Sequence, residues 1–136
     1  MPVEIKNQQG EVLTVIDRDD LACADLESAD LQGADLQGVN LRVVNLYCAN
    51  LQGADLSVVN FRDADLSGAD LTGADLRYAN LCQANLRGAN LTDANLRGAI
   101  LIGANLTVAN LYHTDLTGVK LDGINLGCKG AKLVAD

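Results

Sequence analysis

The sequence predicts an all-β repeat fold in which the chain bends once every five residues. Three observations predict it. From Leu21 to Leu126 every fifth residue is Leu, except for Phe61, which makes 22 central positions in one unbroken register. A small residue, usually Ala, stands two places before each central position. Asp or Asn usually stands directly before it, and the two following positions are variable and mostly polar or Gly.

A period of five fits neither regular helix nor straight strand. On an α-helix of about 3.6 residues per turn, successive Leu side chains would spiral around the axis and form no buried face. On a strand, side chains alternate, so an odd spacing would place successive Leu residues on opposite faces. A chain that bends once per repeat keeps every central side chain inside.

The residues around each Leu suit such a bend. Gly recurs two places after the central position, as at Gly33, Gly53 and Gly73, where a corner needs a positive φ or a close neighbouring backbone. Asp and Asn accept hydrogen bonds from nearby backbone N–H groups and tolerate turn conformations. The local chemistry is therefore rich in turns, while the Leu and Ala register is strict.

The tandem motif A-[DN]-L-x-x, seen as Ala-Asp-Leu at 34–36 and Ala-Asn-Leu at 84–86, resembles the signature of the pentapeptide-repeat family. The resemblance implies a right-handed quadrilateral β-helix, a solenoid in which four pentapeptides form one square coil. The central and small residues then point inward, and twenty residues separate stacked neighbours. The repeat run would make about five to six coils.

Three segments are predicted along the chain. Residues 1–18 form N-terminal capping strands, because 3–16 read as two short strands around a Gln-Gly turn. Residues 19–128 form the repeat solenoid. Residues 129–136 form a closing segment, since the register slips by two after Leu126 and Ala-Lys-Leu at 131–133 repeats the motif out of phase. This segment closes the last coil or pairs with a partner.

Composition narrows the function classes. A formal charge of −8 and a pI near 4.4 disfavour direct binding to nucleic acid or to an anionic membrane. The N-terminal residues lack a secretory pattern and no stretch is long and apolar enough to span a membrane, so a cytoplasmic location is expected. No two of Cys23, Cys48, Cys82 and Cys128 are stacked on adjacent coils, so we expect free thiols, no metal site and no cofactor.

Stacking predicts an acidic ladder. Residues twenty apart lie one above another on successive coils and form a column. One such column contains Asp35, Asp55 and Asp75, followed by Asn95 and Asp115. Carboxylates this close would bind cations or have raised pKa values. The alternative, which we prefer, is that each Asp accepts a hydrogen bond from a turn N–H or faces the arginines at 77 and 97.

Stacking also predicts an apolar contact patch formed by Cys82, Ile100 and Ile102, with Ile100 replacing the usual Asp or Asn. The competing interpretation is the ordinary scatter of apolar residues over a protein surface. His113 is the only histidine, stands at an outward position and has no evident orienting partner. We therefore predict no catalytic residues, and the filled Leu core offers an enzyme no ligand pocket.

The preferred function is a non-enzymatic structural or protein-interaction module with an unidentified protein partner, including a homodimer formed end to end or through a wall. The alternative is a DNA-mimicking inhibitor or protector of a type II topoisomerase (gyrase), an activity that the family resemblance brings with it. Residues 17–75 carry 12 acidic residues against 3 Arg, whereas 76–126 carry 3 acidic and 4 basic residues. The chain has a single Phe and no C-terminal helical pattern, and in both respects it differs from the family members that this alternative has in mind, which are rich in Phe at the central position and usually dimerise through a C-terminal helical element.

Overall fold

The computed structural model describes residues 1–127, and over this range the chain is a four-walled solenoid without a helix. Asp25 pairs in parallel with Asn45, and the same pairing over twenty residues recurs at every fifth position up to Asn105 with Asn125. One coil therefore contains four pentapeptides, as the family resemblance implies. With 22 central positions, the solenoid makes between five and six coils.

We number the walls in chain order. Wall 1 contains the central Leu21, wall 2 Leu26, wall 3 Leu31 and wall 4 Leu36, and each wall recurs at intervals of twenty residues. A wall extends from the residue before its central position to the third residue after it. Each wall is one pentapeptide wide. Within one wall, residues twenty apart lie one above the other, at about the 4.8 Å spacing of paired strands.

A pentapeptide in the middle of the solenoid typically uses all five of its backbone N–H groups. One bond closes the corner inside the coil, one reaches the coil before, two reach the coil after, and one is taken by a side chain. In the repeat at 84–88, Ala84 donates to Leu81 O, Asn85 to Ala64 O, Leu86 to Asn105 O, Gly88 to Thr107 O, and Arg87 to its own repeat's Asn85 Oδ1. This pattern satisfies the backbone without long strands.

The interior is filled by the central residues and the small residues before them. Every central side chain from Leu21 to Leu106 is at most 4% exposed, and Phe61 fits among them. From Ala109 to Leu126 the inward residues are only half-buried, because no further coil follows within the described residues. Cys128 and the predicted closing segment 129–136 lie outside the described residues.

A hairpin lies against the first coil. Strand β1 (Val3–Asn7) pairs antiparallel with β2 (Val12–Ile16), with an irregularity between Ile5 and Lys6. Strand β1 also pairs antiparallel with β3 (Ala34–Asp35). The side chain of Ile5 enters the core with 1% exposure. The two strands lie in the segment for which the sequence predicts them, and they cover the N-terminal opening of the solenoid.

The turn of this hairpin is built by one side chain. Asn7 Oδ1 accepts hydrogen bonds from the N–H groups of Gln9 and Glu11, at 3.0 and 2.9 Å. The side-chain amide of Gln8 then donates to Gly33 O and Gly53 O, at 3.2 and 2.9 Å. The hairpin is thereby attached to two successive coils.

Replacing Leu66 with Asp should unfold the solenoid, because Leu66 is fully buried and the new carboxylate would have no partner in an aliphatic core. Circular dichroism during heating measures this loss. Arg87→Asp is the control, since it adds an acidic side chain at an exposed site on the same wall. A Leu66→Asp protein that melts at the wild-type temperature would contradict the inward placement of the central residues.

Candidate functional site

The residue before each central position builds an Asx turn. Its side-chain Oδ1 accepts a hydrogen bond from the N–H two residues later, as between Asn80 and Cys82 at 3.0 Å. The bond recurs in every described repeat from Asp25 to Asn125 except two. The exceptions are the repeats in which Ile100 and Lys120 occupy this position, and neither side chain can accept a hydrogen bond.

The two exceptions are neighbours. Ile100 pairs in parallel with Asn80 on one side and with Lys120 on the other, so both lie in the same column of wall 1. Within the described residues, the N–H groups of Ile102 and Asp122 have no hydrogen-bond acceptor. One face of the solenoid therefore lacks the turn bond on two consecutive coils, whereas the other three walls retain it throughout.

The predicted contact patch, Cys82 with Ile100 and Ile102, is assembled on this wall. Leu81 donates to Ile100 O at 2.7 Å and Gln83 to Ile102 O at 2.9 Å, which places Cys82 directly against the next coil's Ile102. Ile100 is half-buried and Ile102 is 36% exposed. Cys82 is a partly exposed free thiol, as Cys23 and Cys48 are exposed ones.

Tyr78 extends the apolar surface at the corner between walls 4 and 1, which the sequence analysis did not predict. Its side chain is 62% exposed, and its ring lies over Gly98 on the next coil, where a Cβ atom would meet Tyr78 Cε1 at 2.5 Å. Gly98 precedes Ile100 by two residues. The twenty-residue spacing does not give the orientation of the Tyr78 side chain. The same spacing could have placed Lys120 above Ile100.

Charge distinguishes wall 1 from the others. Between residues 20 and 127 it carries three cations, Arg42, Arg62 and Lys120, against the three carboxylates Asp20, Asp63 and Asp122, a net charge of zero. Walls 2, 3 and 4 carry net charges of −2, −3 and −2 over the same range. Lys120 and Arg42 make no ion pair among the described residues, and Arg62 approaches Asp63 at 3.7 Å.

The acidic ladder is stacked as predicted, with Asp35, Asp55, Asp75, Asn95 and Asp115 paired in sequence along wall 4. Each of the five accepts the turn N–H of its own repeat through Oδ1, at 3.0 to 3.4 Å. The Oδ1 oxygens of the ladder are thus engaged in the fold. Residues 1–127 contain no group of three or more acidic, His or Cys side chains that could hold a metal ion.

The raised pKa values considered for the ladder are wrong for two of its members. The Arg77 guanidinium binds Asp75 through two nitrogens, with Nη2 at 2.7 Å from Oδ2, and holds the pKa of this carboxyl below its ordinary value. Hydrogen bonding from Thr117 similarly lowers the pKa of Asp115. Asp75 and Asp115 are therefore ionised at neutral pH, and Arg77 compensates the charge of Asp75.

His113 has a partner that the sequence analysis missed. Its Nδ1 lies 3.4 Å from Asp93 Oδ1 on the preceding coil, and its ring stacks on Tyr112 with centroids 3.9 Å apart. Twenty-residue spacing could have identified Asp93. The two side chains are 64% and 60% exposed, so water surrounds the pair and no enclosed site forms around it.

The lowered pKa of Asp75 has a consequence for stability. A carboxyl whose folded pKa is depressed stabilises the fold above its unfolded pKa of about 3.9, and this stabilisation is lost as the pH falls through the folded value. Asp75→Asn and Arg77→Gln should each lower the free energy of unfolding at pH 7 and make its loss in acid shallower than in wild type. Urea titrations across pH measure this, with Arg87→Gln as the control. Wild-type acid dependence in both variants would contradict the pairing.

Known proteins match this geometry. The family model for pentapeptide repeats matches with 8 copies in overlapping stretches that together span residues 24–127. The crystal structure of Rfr23, a pentapeptide repeat protein from the cyanobacterium Cyanothece 51142, is 32% identical over 76% of this chain and 88% of that chain, with a TM-score of 0.68. Among curated proteins none matches this sequence.

Two further structures match with lower TM-scores. The pentapeptide repeat protein alr5209 from Nostoc PCC 7120 is 39% identical over 71% of this chain and 83% of that chain, with a TM-score of 0.42. The fluoroquinolone resistance protein QnrB1 is 26% identical over 80% of this chain and 68% of that chain, with a TM-score of 0.44. The predicted right-handed quadrilateral β-helix is confirmed, and the chain belongs to the pentapeptide-repeat family.

Proposed function

We propose that this chain is a non-enzymatic interaction module whose solenoid holds a protein partner on wall 1. The observation that supports it is Ile100, an aliphatic residue at a position where nineteen described repeats use Asp or Asn as a hydrogen-bond acceptor. The replacement gives up a hydrogen bond of about 0.5–1.5 kcal/mol and leaves apolar surface facing outward. A residue that lowers the stability of its own repeat and exposes apolar surface is typical of a binding interface.

The architecture supports the same proposal. A convex solenoid filled by Leu and Ala has flat, rigid walls, and each coil repeats the outward positions at about 4.8 Å. A partner that docks on such a wall meets side chains that are already fixed in place, so little conformational entropy is lost on binding. Wall 1 carries the apolar patch, adjoins the corner at Tyr78 and is the one wall of the four without net negative charge between residues 20 and 127.

DNA mimicry is supported less well. A mimic of duplex DNA needs unpaired negative charge facing outward along a continuous surface. The ladder on wall 4 is interrupted by Asn95, Asp75 is bound by Arg77, and the carboxylates accept turn N–H groups. The acidic first half remains the feature that favours this alternative.

Photo-crosslinking in the native host tests the proposal. Benzoylphenylalanine is placed at Ile102 and, as the matched control, at Tyr112, an exposed aromatic position on wall 3. We expect one dominant crosslinked protein from position 102 that is absent from position 112 and is lost when Ile100→Asn is added. Identical products from both positions, or none from position 102, would count against a partner on wall 1.

A further inference from the structure

Two N–H groups on wall 1 that lack the Asx acceptor restrict what can cover it. Ile102 and Asp122 lie on consecutive coils of one wall, and their amides lack the acceptor that Asn80 supplies to Cys82 one coil earlier. While the wall faces solvent, water can accept these bonds. An apolar partner would remove that water and leave the amides unsatisfied, which opposes binding.

A partner that covers the patch must therefore bring its own acceptor oxygens. These oxygens would take the place of the two missing Asx side chains, directly beside the Ile100 and Ile102 side chains. The Lys120 ammonium stands in the same column and has no ion pair among the described residues. Because an ammonium beside two N–H donors favours a charged acceptor over a neutral one, the acceptor best suited to this place is a carboxylate.

The distribution of charge over the molecule points the same way. Wall 1 has a net charge of zero between residues 20 and 127, whereas the other three walls are each negative. An acidic segment is thus repelled by the other three walls and not by wall 1, where the Lys120 ammonium attracts it, and this selects both the partner and the wall. Asp122 and Asp63 lie on wall 1 as well, so the attraction centres on Lys120, Arg62 and Arg42 rather than on a uniform basic face.

We propose that wall 1 binds a short acidic segment of a partner protein, with an aliphatic or aromatic side chain on Ile100 and Ile102 and carboxylates on Lys120 and the free amides of Ile102 and Asp122. This inference rests on the proposed function and names the chemistry of its partner. Tyr78, at the corner, bounds the apolar part of the site on the side of wall 4.

The structure supplies variants that remove the site and keep the repeat. Ile100→Asn provides Ile102 with the acceptor that other repeats have and removes the aliphatic side chain. Lys120→Asn does the same for Asp122 and removes the cation. Both substitutions install the residue that the motif normally uses, so both proteins should fold, and a thermal melt verifies this. Tyr112→Ser, which removes an exposed aromatic from wall 3, is the matched control.

A random twelve-residue peptide library displayed on phage serves as the probe, selected against the purified wild-type protein. We expect enrichment of peptides that combine Asp or Glu with an aliphatic or aromatic residue. The dissociation constants of synthetic copies, measured by fluorescence polarisation, should rise roughly tenfold or more in Ile100→Asn and in Lys120→Asn and stay unchanged in Tyr112→Ser. Added salt should weaken binding.

Other outcomes would overturn the inference. These are enrichment of basic or uncharged peptides, no enrichment, or equal affinity for wild type and Ile100→Asn. Self-association of the wild type that Ile100→Asn abolishes would identify a second copy as the occupant instead. A specific crosslink from position 102 together with basic peptides would leave the proposed function standing and reject the acidic partner, so the two failures can be told apart.

Discussion

The structure depends on the complete hydrogen bonding of a five-residue backbone unit. A chain that turns a corner every five residues cannot form long strands. Each N–H group must therefore find its acceptor two or three residues away in the chain or on an adjacent coil. The corner residue achieves this with a positive φ, near +67° at Gly68 and +57° at Val58. The Asx side chain supplies the remaining acceptor. Once these two conditions hold, the Leu and Ala side chains are directed inward and the core fills.

The positive φ of the corner residue explains why Gly is frequent there and why other residues at this position cost free energy. Eleven described corners have a residue other than Gly at positive φ, including the β-branched Val43, Val58 and Val108. For such residues the left-handed conformation costs about 1–2 kcal/mol each, which the bonding of neighbouring coils must outweigh. The solenoid tolerates this at Val43 and Val58 because the N–H of each corner residue donates to the next coil, to Arg62 O at 3.0 Å and to Arg77 O at 2.9 Å. The fold therefore constrains the corner backbone strictly and its side chain weakly.

Most of the fold could be predicted because a period of five has few solutions. The register places Leu and Ala inside, and the twenty-residue coil then brings Cys82 beside Ile102 and aligns Asp35 with Asp55 and Asp75. What spacing could not give is the direction of a long side chain. Arg77 turns back onto Asp75 within its own repeat, and Tyr78 leans over Gly98 on the next coil. Both side-chain orientations depend on contacts that the twenty-residue stacking does not reveal.

Regularity also makes departures informative. In a fold where most repeats carry the same polar acceptor, the two that lack it lie one above the other, beside the exposed side chain of Ile102. A random loss of the motif would have no reason to select one column. The interaction surface is thus inferred from where the repeat gives up hydrogen bonding, together with the charge of the wall on which it does so.

Residue-resolved amide hydrogen exchange of the free protein tests this account most directly. The account predicts that the amide of Ile102 exchanges roughly tenfold or more faster than that of Cys82, which occupies the same place one coil earlier and donates to Asn80 at 3.0 Å. Ile100→Asn should slow the exchange at Ile102 to the rate at Cys82. Equal protection of the two amides in the wild type would contradict the missing turn bond, and with it the basis for placing the interaction site on wall 1.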